Sequence, residues 1–274
     1  MATFFGEILP VTSRAVDDDE EDENITSIHE SDPVIHWSKN FCVEVEKLPS
    51  NKIPCSVFVI AVGTEANVFS EIYLKPFGYE AVGGVFTSFK DDVPLTSSQS
   101  SLTEKNFCIF RCLSKPSVFL CQFKLEVSPE HSYAWTKLLT DSFDLSTADI
   151  IVLTSSGMST YCSELPFSDL EPPFLRCLKT EYFVGNLKCK ILEQPNMLTG
   201  LPAQLMTFFQ AYQYKAAVYV CFKEKRFIDI VDVKTFLPLL QTISIQDITQ
   251  VNKEADQRLR DMVKLHSVHD MMYM

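Results

Sequence analysis

The chain has 274 residues, 46% of them apolar and 22% charged, enough for one large domain or two small ones with a sizeable core. Its formal net charge of −12 excludes a nucleic-acid binder, which needs a basic stripe to displace counterions, and argues against docking on anionic membranes. No run of about 18 apolar residues marks a membrane span, and the first residues lack the basic flank and long apolar stretch of a secretion signal.

In chain order, the first feature is the acidic run DDDEEDE, Asp17 to Glu23. It is either a lure for a basic partner or a solvated arm; like charges in a block repel one another, and residues 1–30 are expected to form a disordered acidic arm. Regular patterning begins near Phe41. CSVFVIAVG (Cys55–Gly63) predicts a buried strand ending in a glycine turn. The polar, Ser-rich stretch Asp91–Asn106 predicts a surface loop. NFCIFRCL (Asn106–Leu113) and SVFLCQFKL (Ser117–Leu125) predict strands joined by Ser114, Lys115 and Pro116, too close for a crossover helix, so they form a hairpin.

HSYAWTKLLTDSF (His131–Phe143) predicts a helix with Tyr133, Trp135, Leu138, Leu139 and Phe143 roughly on one side. ADIIVLT (Ala148–Thr154) predicts a strand, and Ser155–Pro173 a long loop. LPAQLMTFFQAYQY (Leu201–Tyr214) predicts a helix with Pro202 near its start and an apolar stripe of Leu205, Phe208, Phe209 and Tyr212. AAVYVCF (Ala216–Phe222) predicts a further strand, and Val231–Ile243 a helix interrupted at Pro238. Asn252–His266 predicts a helix capped by Asn252, with Ala255, Leu259, Met262 and His266 on one face. Strands with few alternating polar residues suit a sheet covered on both faces, so the pattern gives an α/β domain with a mixed sheet.

Familiar chemistry is missing. Eight glycines include no G-x-G-x-x-G or G-x-x-x-x-G-K-[ST]; Gly63 in AVGTEA reads as a strand-to-helix turn rather than a phosphate cradle. No G-x-S-x-G is present, and TSSGMST (Thr154–Thr160) is a serine-rich loop whose nearest candidate base, His131, reads better as a surface or capping residue. Asp229 and Asp232 at a strand end are either catalytic acids or capping groups; capping is preferred. His266 and His269 lack a third ligand. Nine cysteines with no C-x-x-C read as free thiols, several in apolar runs, in a reducing compartment. No catalytic residue, cofactor or metal site is expected.

MATFFGE at the start, PSVFLCQ (Pro116–Gln122), PPFLRCLKT (Pro172–Thr180), ILEQPN (Ile191–Asn196) and LPA (Leu201–Ala203), with the closing Met272-Tyr273-Met274, resemble the proteasome assembly chaperone 1 family, in its non-human vertebrate form. The resemblance implies a three-layer αβα fold, phosphorylase-like, with no enzymatic activity. It also implies pairing with proteasome assembly chaperone 2, which together with it would hold 20S proteasome α subunits while their ring forms and block unproductive α-ring pairing. A cytoplasmic location is expected, with nucleus and endoplasmic reticulum as further locations.

The expected organisation is an arm over 1–30, one α/β chaperone domain over 31–266 and a flexible C-terminal tail over 267–274. The tail ends in the family's hydrophobic-Tyr-X signature, filled here by Met272, Tyr273 and Met274. By the same resemblance it would enter a pocket between α subunits, its carboxylate meeting a lysine ammonium. The alternative is a hydrolase-like or nucleotide-binding enzyme on the same kind of fold.

Overall fold

The computed structural model describes residues 33–48, 50, 52–85, 107–163, 170–241 and 254–272, with the side chains of 77, 241 and 265–272 outside that description. The acidic arm and the polar loop Asp91–Asn106, apart from their neighbours, therefore lie outside the described residues.

In order, the described elements are β1 (His36–Trp37), α1 (Lys39–Val45), β2 (Ile53–Pro54), β3 (Val57–Val62) and α2 (Thr64–Phe69), which runs on through a π turn (Ser70–Leu74) and a 3-10 turn (Lys75–Phe77). Next come β4 (Tyr79–Val85), β5 (Phe107–Cys112), β6 (Val118–Phe123), α3 (Ser132–Ser142), β7 (Phe143–Asp144) and β8 (Asp149–Gly157). The last are β9 (Phe174–Lys179), β10 (Lys190–Ile191), α4 (Gly200–Ala211), β11 (Lys215–Lys223), α5 (Ile230–Lys234) and α6 (Ala255–Met272).

Nine strands form one sheet in the order β1-β4-β5-β6-β3-β8-β11-β9-β10, and β2 pairs with β7 apart from it. The centre is parallel, β6, β3, β8 and β11 side by side. The flanks are antiparallel, β5 against β6, β4 against β5, β1 against β4 and β9 against β11, except that the edge strand β10 runs parallel to β9. The β5–β6 hairpin is the one the short Ser114–Pro116 link predicts, and it is one of the antiparallel pairs that make the sheet mixed.

Period-two alternation sends each strand's side chains to two separate cores. Val57, Val59 and Ala61 of β3 join Leu153 of β8 and Tyr219 of β11 beneath α2, the π turn, α5 and α6. Phe58 and Ile60 join Ile150, Val152 and Val218 beneath α1, α3 and α4. The result is the three-layer αβα arrangement with a buried sheet. Two glycines have a clear geometric reason. Gly63 takes φ +91° to turn β3 into α2, a region that side chains with a Cβ rarely adopt. A Cβ at Gly83 on β4 would sit 2.6 Å from the Trp37 ring, so only glycine lets β1 close on β4.

Several elements depart from the sequence reading. Tyr133 is 55% exposed and does not share the buried side of α3 with Trp135 and Leu139. Phe143 is buried, but as the first residue of β7 rather than the last of a helix. α4 stops at Ala211, because Gln213 takes a positive φ of 63°, and Tyr212 is left 60% exposed. β4 and β9 are strands that the apolar-run criterion does not find. α6 continues to Met272, beyond the end expected near His266.

Candidate functional site

The residues nearest the expected tail site belong to α6. Ala255 and Leu259 are buried, and Met262 and Val263 pack against the same core. This 4-3-1 spacing places one face of the helix on the π turn and α5. Lys234 on α5 meets Asp256 at 2.9 Å, and that hydrogen bond holds the Asp256 carboxyl below its usual range. Asp256 also stands in the first turn, where the positive end of the helix dipole favours an acid. The base of α6 is thereby fixed, while residues 264–272 prolong it by about 13 Å at the ordinary helical rise. Met272 is the last helical residue; Tyr273 and Met274 lie outside the described residues.

A second cluster stands at the carboxyl ends of β3, β8 and β11, where open α/β sheets commonly hold ligands. Glu65, in the first turn of α2, is only 2% exposed. Its Oε1 accepts from the Lys223 ammonium and its Oε2 accepts from Ser155 Oγ at 2.5 Å. Lys223 also donates to the Arg226 carbonyl at 3.2 Å. The carboxylate is thus fully engaged, and the Ser155 proton is committed to it. His131 is on the far side of the sheet: it precedes α3, and its Nδ1 lies 2.7 Å from Ser128 Oγ. The structure therefore does not bring His131 and Ser155 together as base and nucleophile.

Asp229 and Asp232 resolve as capping groups. Asp229 caps α5, and its backbone N–H donates to Asp232 Oδ2 at 3.0 Å, completing a capping box. Lys225 Nζ, 2.6 Å from Asp229 Oδ2, pulls the Asp229 carboxyl down. Burial pushes the Asp232 carboxyl up.

Sequence reasoning misses a buried polar link between α2 and β6. Gln122 Nε2 donates to Ser70 Oγ at 2.6 Å, Ser70 Oγ donates to the Asn67 carbonyl at 2.8 Å, and Asn67 Nδ2 donates to the Phe123 carbonyl at 2.5 Å. The signal available for it is the lone amide in the apolar run SVFLCQF.

On the α1 side, Phe41, Val45, Leu48, Ile53 and Phe119 line a groove of about 360 Å³ with Glu44 and Arg111 at its rim. Arg111 bridges Glu44 and Glu80, meeting Glu80 Oε1 at 2.6 Å. Nearer α4, Phe208 and Tyr212 stack at 4.2 Å. Among the described residues, no group of three or more His, Cys, Asp or Glu could hold a metal, and no helix is long and apolar enough to cross a membrane.

The family model described as Proteasome assembly chaperone 4 (PAC1) matches residues 1–274. Proteasome assembly chaperone 1 of Xenopus laevis is 30% identical over 296 residues, covering 100% of both chains. Among solved structures, Pyrococcus furiosus PbaA, an archaeal homolog of proteasome-assembly chaperone, superposes with a TM-score of 0.59 at 12% identity over 82% of this chain and 96% of its own. Pyrococcus furiosus PbaB, an archaeal proteasome activator, superposes with a TM-score of 0.53 at 10% identity over 87% of this chain and 99% of its own. At these identities the two archaeal likenesses speak to the fold.

Proposed function

Because the chain belongs to the PAC1 family of proteasome assembly chaperones, we propose that it is a dedicated assembly factor of the 20S proteasome that works as a heterodimer with proteasome assembly chaperone 2. In this role it holds α subunits while their ring closes and keeps finished rings from pairing unproductively. It binds and releases, and makes or breaks no covalent bond. The observation that carries this is the end-to-end family match over residues 1–274. The engagement of Glu65 by both Lys223 and Ser155 is consistent with it, since Ser155 is committed as a donor to a buried carboxylate.

Met272, Tyr273 and Met274 are proposed as the ring-binding anchor. Met272 would fill an irregular apolar space, Tyr273 would supply a stiff ring with a polar tip, and the terminal carboxylate would meet a cation in a partly dry pocket. A three-residue anchor is weak alone, because ordering a chain end costs free energy. Packing of α6 on the domain makes docking of the anchor an intramolecular step once the body touches the ring.

The test is reconstitution. The chain, proteasome assembly chaperone 2 and purified α subunits are mixed and followed by native mass spectrometry. The expected species contains one copy of each chaperone on an α-subunit ring. A chain that elutes free of both the second chaperone and the α subunits would overturn the proposal.

A further inference from the structure

Helices α3 and α4 pack against each other and on the same core. Where α4 ends, three aromatic rings line up. Phe208 and Tyr212 stack at 4.2 Å with their planes 16° apart, and Tyr214 follows Tyr212 at 6.3 Å and 25°. Phe209, on the inner side of the helix, is fully buried, but Tyr212 is 60% exposed. A large ring therefore stands at the surface, backed by Phe208 and otherwise mostly in water.

Carboxylates frame this stack. Asp141 lies in the last turn of α3 and Asp144 in β7, and both are exposed. Phe143 between them is buried in the core that also takes Phe209, which brings the two acids to the α4 side of the sheet. Burial pushes the Tyr214 phenol up, and the charges of Asp144 and Asp141 add to that push. The Glu181 backbone N–H donates to Gln210 Oε1 at 3.1 Å, which sets a third exposed acid beside the end of α4. Lys52, the cation that acts on Asp144, is committed to the Thr140 carbonyl at 3.0 Å, and Lys215 stands opposite Asp149 in the β8–β11 register. Among the described residues, no lysine or arginine forms an ion pair with any of the three acids, Lys137 one helical turn before Asp141 included.

Ring and charge together narrow what can cover this face. An apolar surface pressed onto it would strip water from carboxylates and leave them unpaired, at a cost that covering one ring does not offset. A second copy of the same face would bring like charges together, and an anionic lipid surface meets the same repulsion. A cation suits both parts, because the negative face of the Tyr212 ring attracts it and the acids pair with it. Arginine suits them better than lysine: its flat guanidinium lies along a ring while its fork of N–H donors reaches a carboxylate.

We propose that the end of α4 is a docking surface for a partner protein that lays an arginine side chain on Tyr212, with Asp141 and Asp144 pairing its charge. Tyr212 supplies the stacking platform, and Phe208 holds that ring upright from behind. The acids set the sign of the partner and add attraction at a distance, which steers the approach. An exposed, preordered tyrosine is also the kind of side chain on which interface energy concentrates.

The test follows the full-length chain by NMR with its tyrosine rings labelled, each resonance assigned by a tyrosine-to-phenylalanine substitution. Capped tetra-arginine is titrated in, and capped tetra-lysine in a parallel sample, so that the two probes carry equal charge. The expected result is a saturable shift of the Tyr212 and Tyr214 resonances, reached with tetra-arginine at about threefold lower concentration than with tetra-lysine. Tyr133, 55% exposed on α3, stays unmoved. Combining Asp141→Asn with Asp144→Asn, which keeps an oxygen for the Ser146 N–H, abolishes the shift while the resonance of the buried Tyr219 reports an intact fold. The proposal falls if Tyr212 ignores tetra-arginine, answers both peptides equally, or still shifts in the doubly substituted chain. It falls equally if Tyr212 answers instead to chain concentration alone or to phosphatidylcholine vesicles, which would make a second copy or a membrane the occupant.

Discussion

At the scale of single residues, Glu65 sets the terms. A carboxylate this deep is tolerated only because Lys223 and Ser155 share it, since an unpaired buried charge costs far more than the pair returns. Lys223→Met should therefore destabilise the fold by about 3–5 kcal/mol. Combining it with Glu65→Gln should restore part of that loss, because no charge is then stranded. Urea midpoints of the single and double variants check both statements, and equal losses in the two would contradict them. Asp232 supplies a pH dependence. Burial raises its carboxyl above the unfolded value, so the folded chain holds the proton where the unfolded chain has lost it. Stability at this group therefore falls as pH rises from about 4, the unfolded carboxylate value, through the raised folded value. Asp232→Asn keeps an oxygen to accept from the Asp229 N–H and should flatten that slope, as read from urea midpoints across the window. Asp229 titrates in the opposite sense: its stabilisation is present above the unfolded value and is lost as pH falls through the lowered folded one. The capping role of both acids was legible, because Asp229 precedes a helix and Asp232 follows at the capping-box interval. Glu65 and Lys223 were not, being 158 positions apart with no local pattern joining them.

At the scale of elements, a helix is as important as the face it buries. Phe209 on α4 is fully buried, whereas Tyr212 just past its end is 60% exposed. Phe209→Ala should cost about 3–5 kcal/mol. Tyr212→Ala should cost about 1 kcal/mol, since it forfeits chiefly the stack on Phe208. Chemical denaturation of the two variants measures the contrast. The central strands were readable because both faces are covered, which turns β3, β6, β8 and β11 into apolar runs. β4, YEAVGGV, hides behind a glycine pair, of which steric contact with Trp37 requires Gly83. β9, FLRCLK, hides behind Arg176, which alternation turns away from the core that takes Leu175 and Cys177, and behind the exposed Lys179 at its end. The π turn after α2 was equally unreadable, because its anchors, Gln122 and Asn67, come from separate elements.

At the scale of the molecule, the layers follow from composition and periodicity, but the biological role does not. That came from the order of short blocks along the chain, which the end-to-end family match supports. The proposed anchor belongs here as well. With α6 helical through Met272, the helix itself carries the first residue of that anchor, where a flexible tail over 267–274 is expected from the sequence. Tyr273→Ala should weaken binding to α-subunit rings by about tenfold or more, as loss of an interface hot spot does. Pairing with the second chaperone should be unchanged. Retention on immobilised rings, set against co-elution of the heterodimer, separates the two effects. Among the described residues, both margins of the large sheet end in dipeptide strands, β1 and β10. Each margin offers a would-be amyloid template scarcely one rung to copy. A protein so trimmed can crowd beside half-assembled neighbours without seeding fibrils of its own.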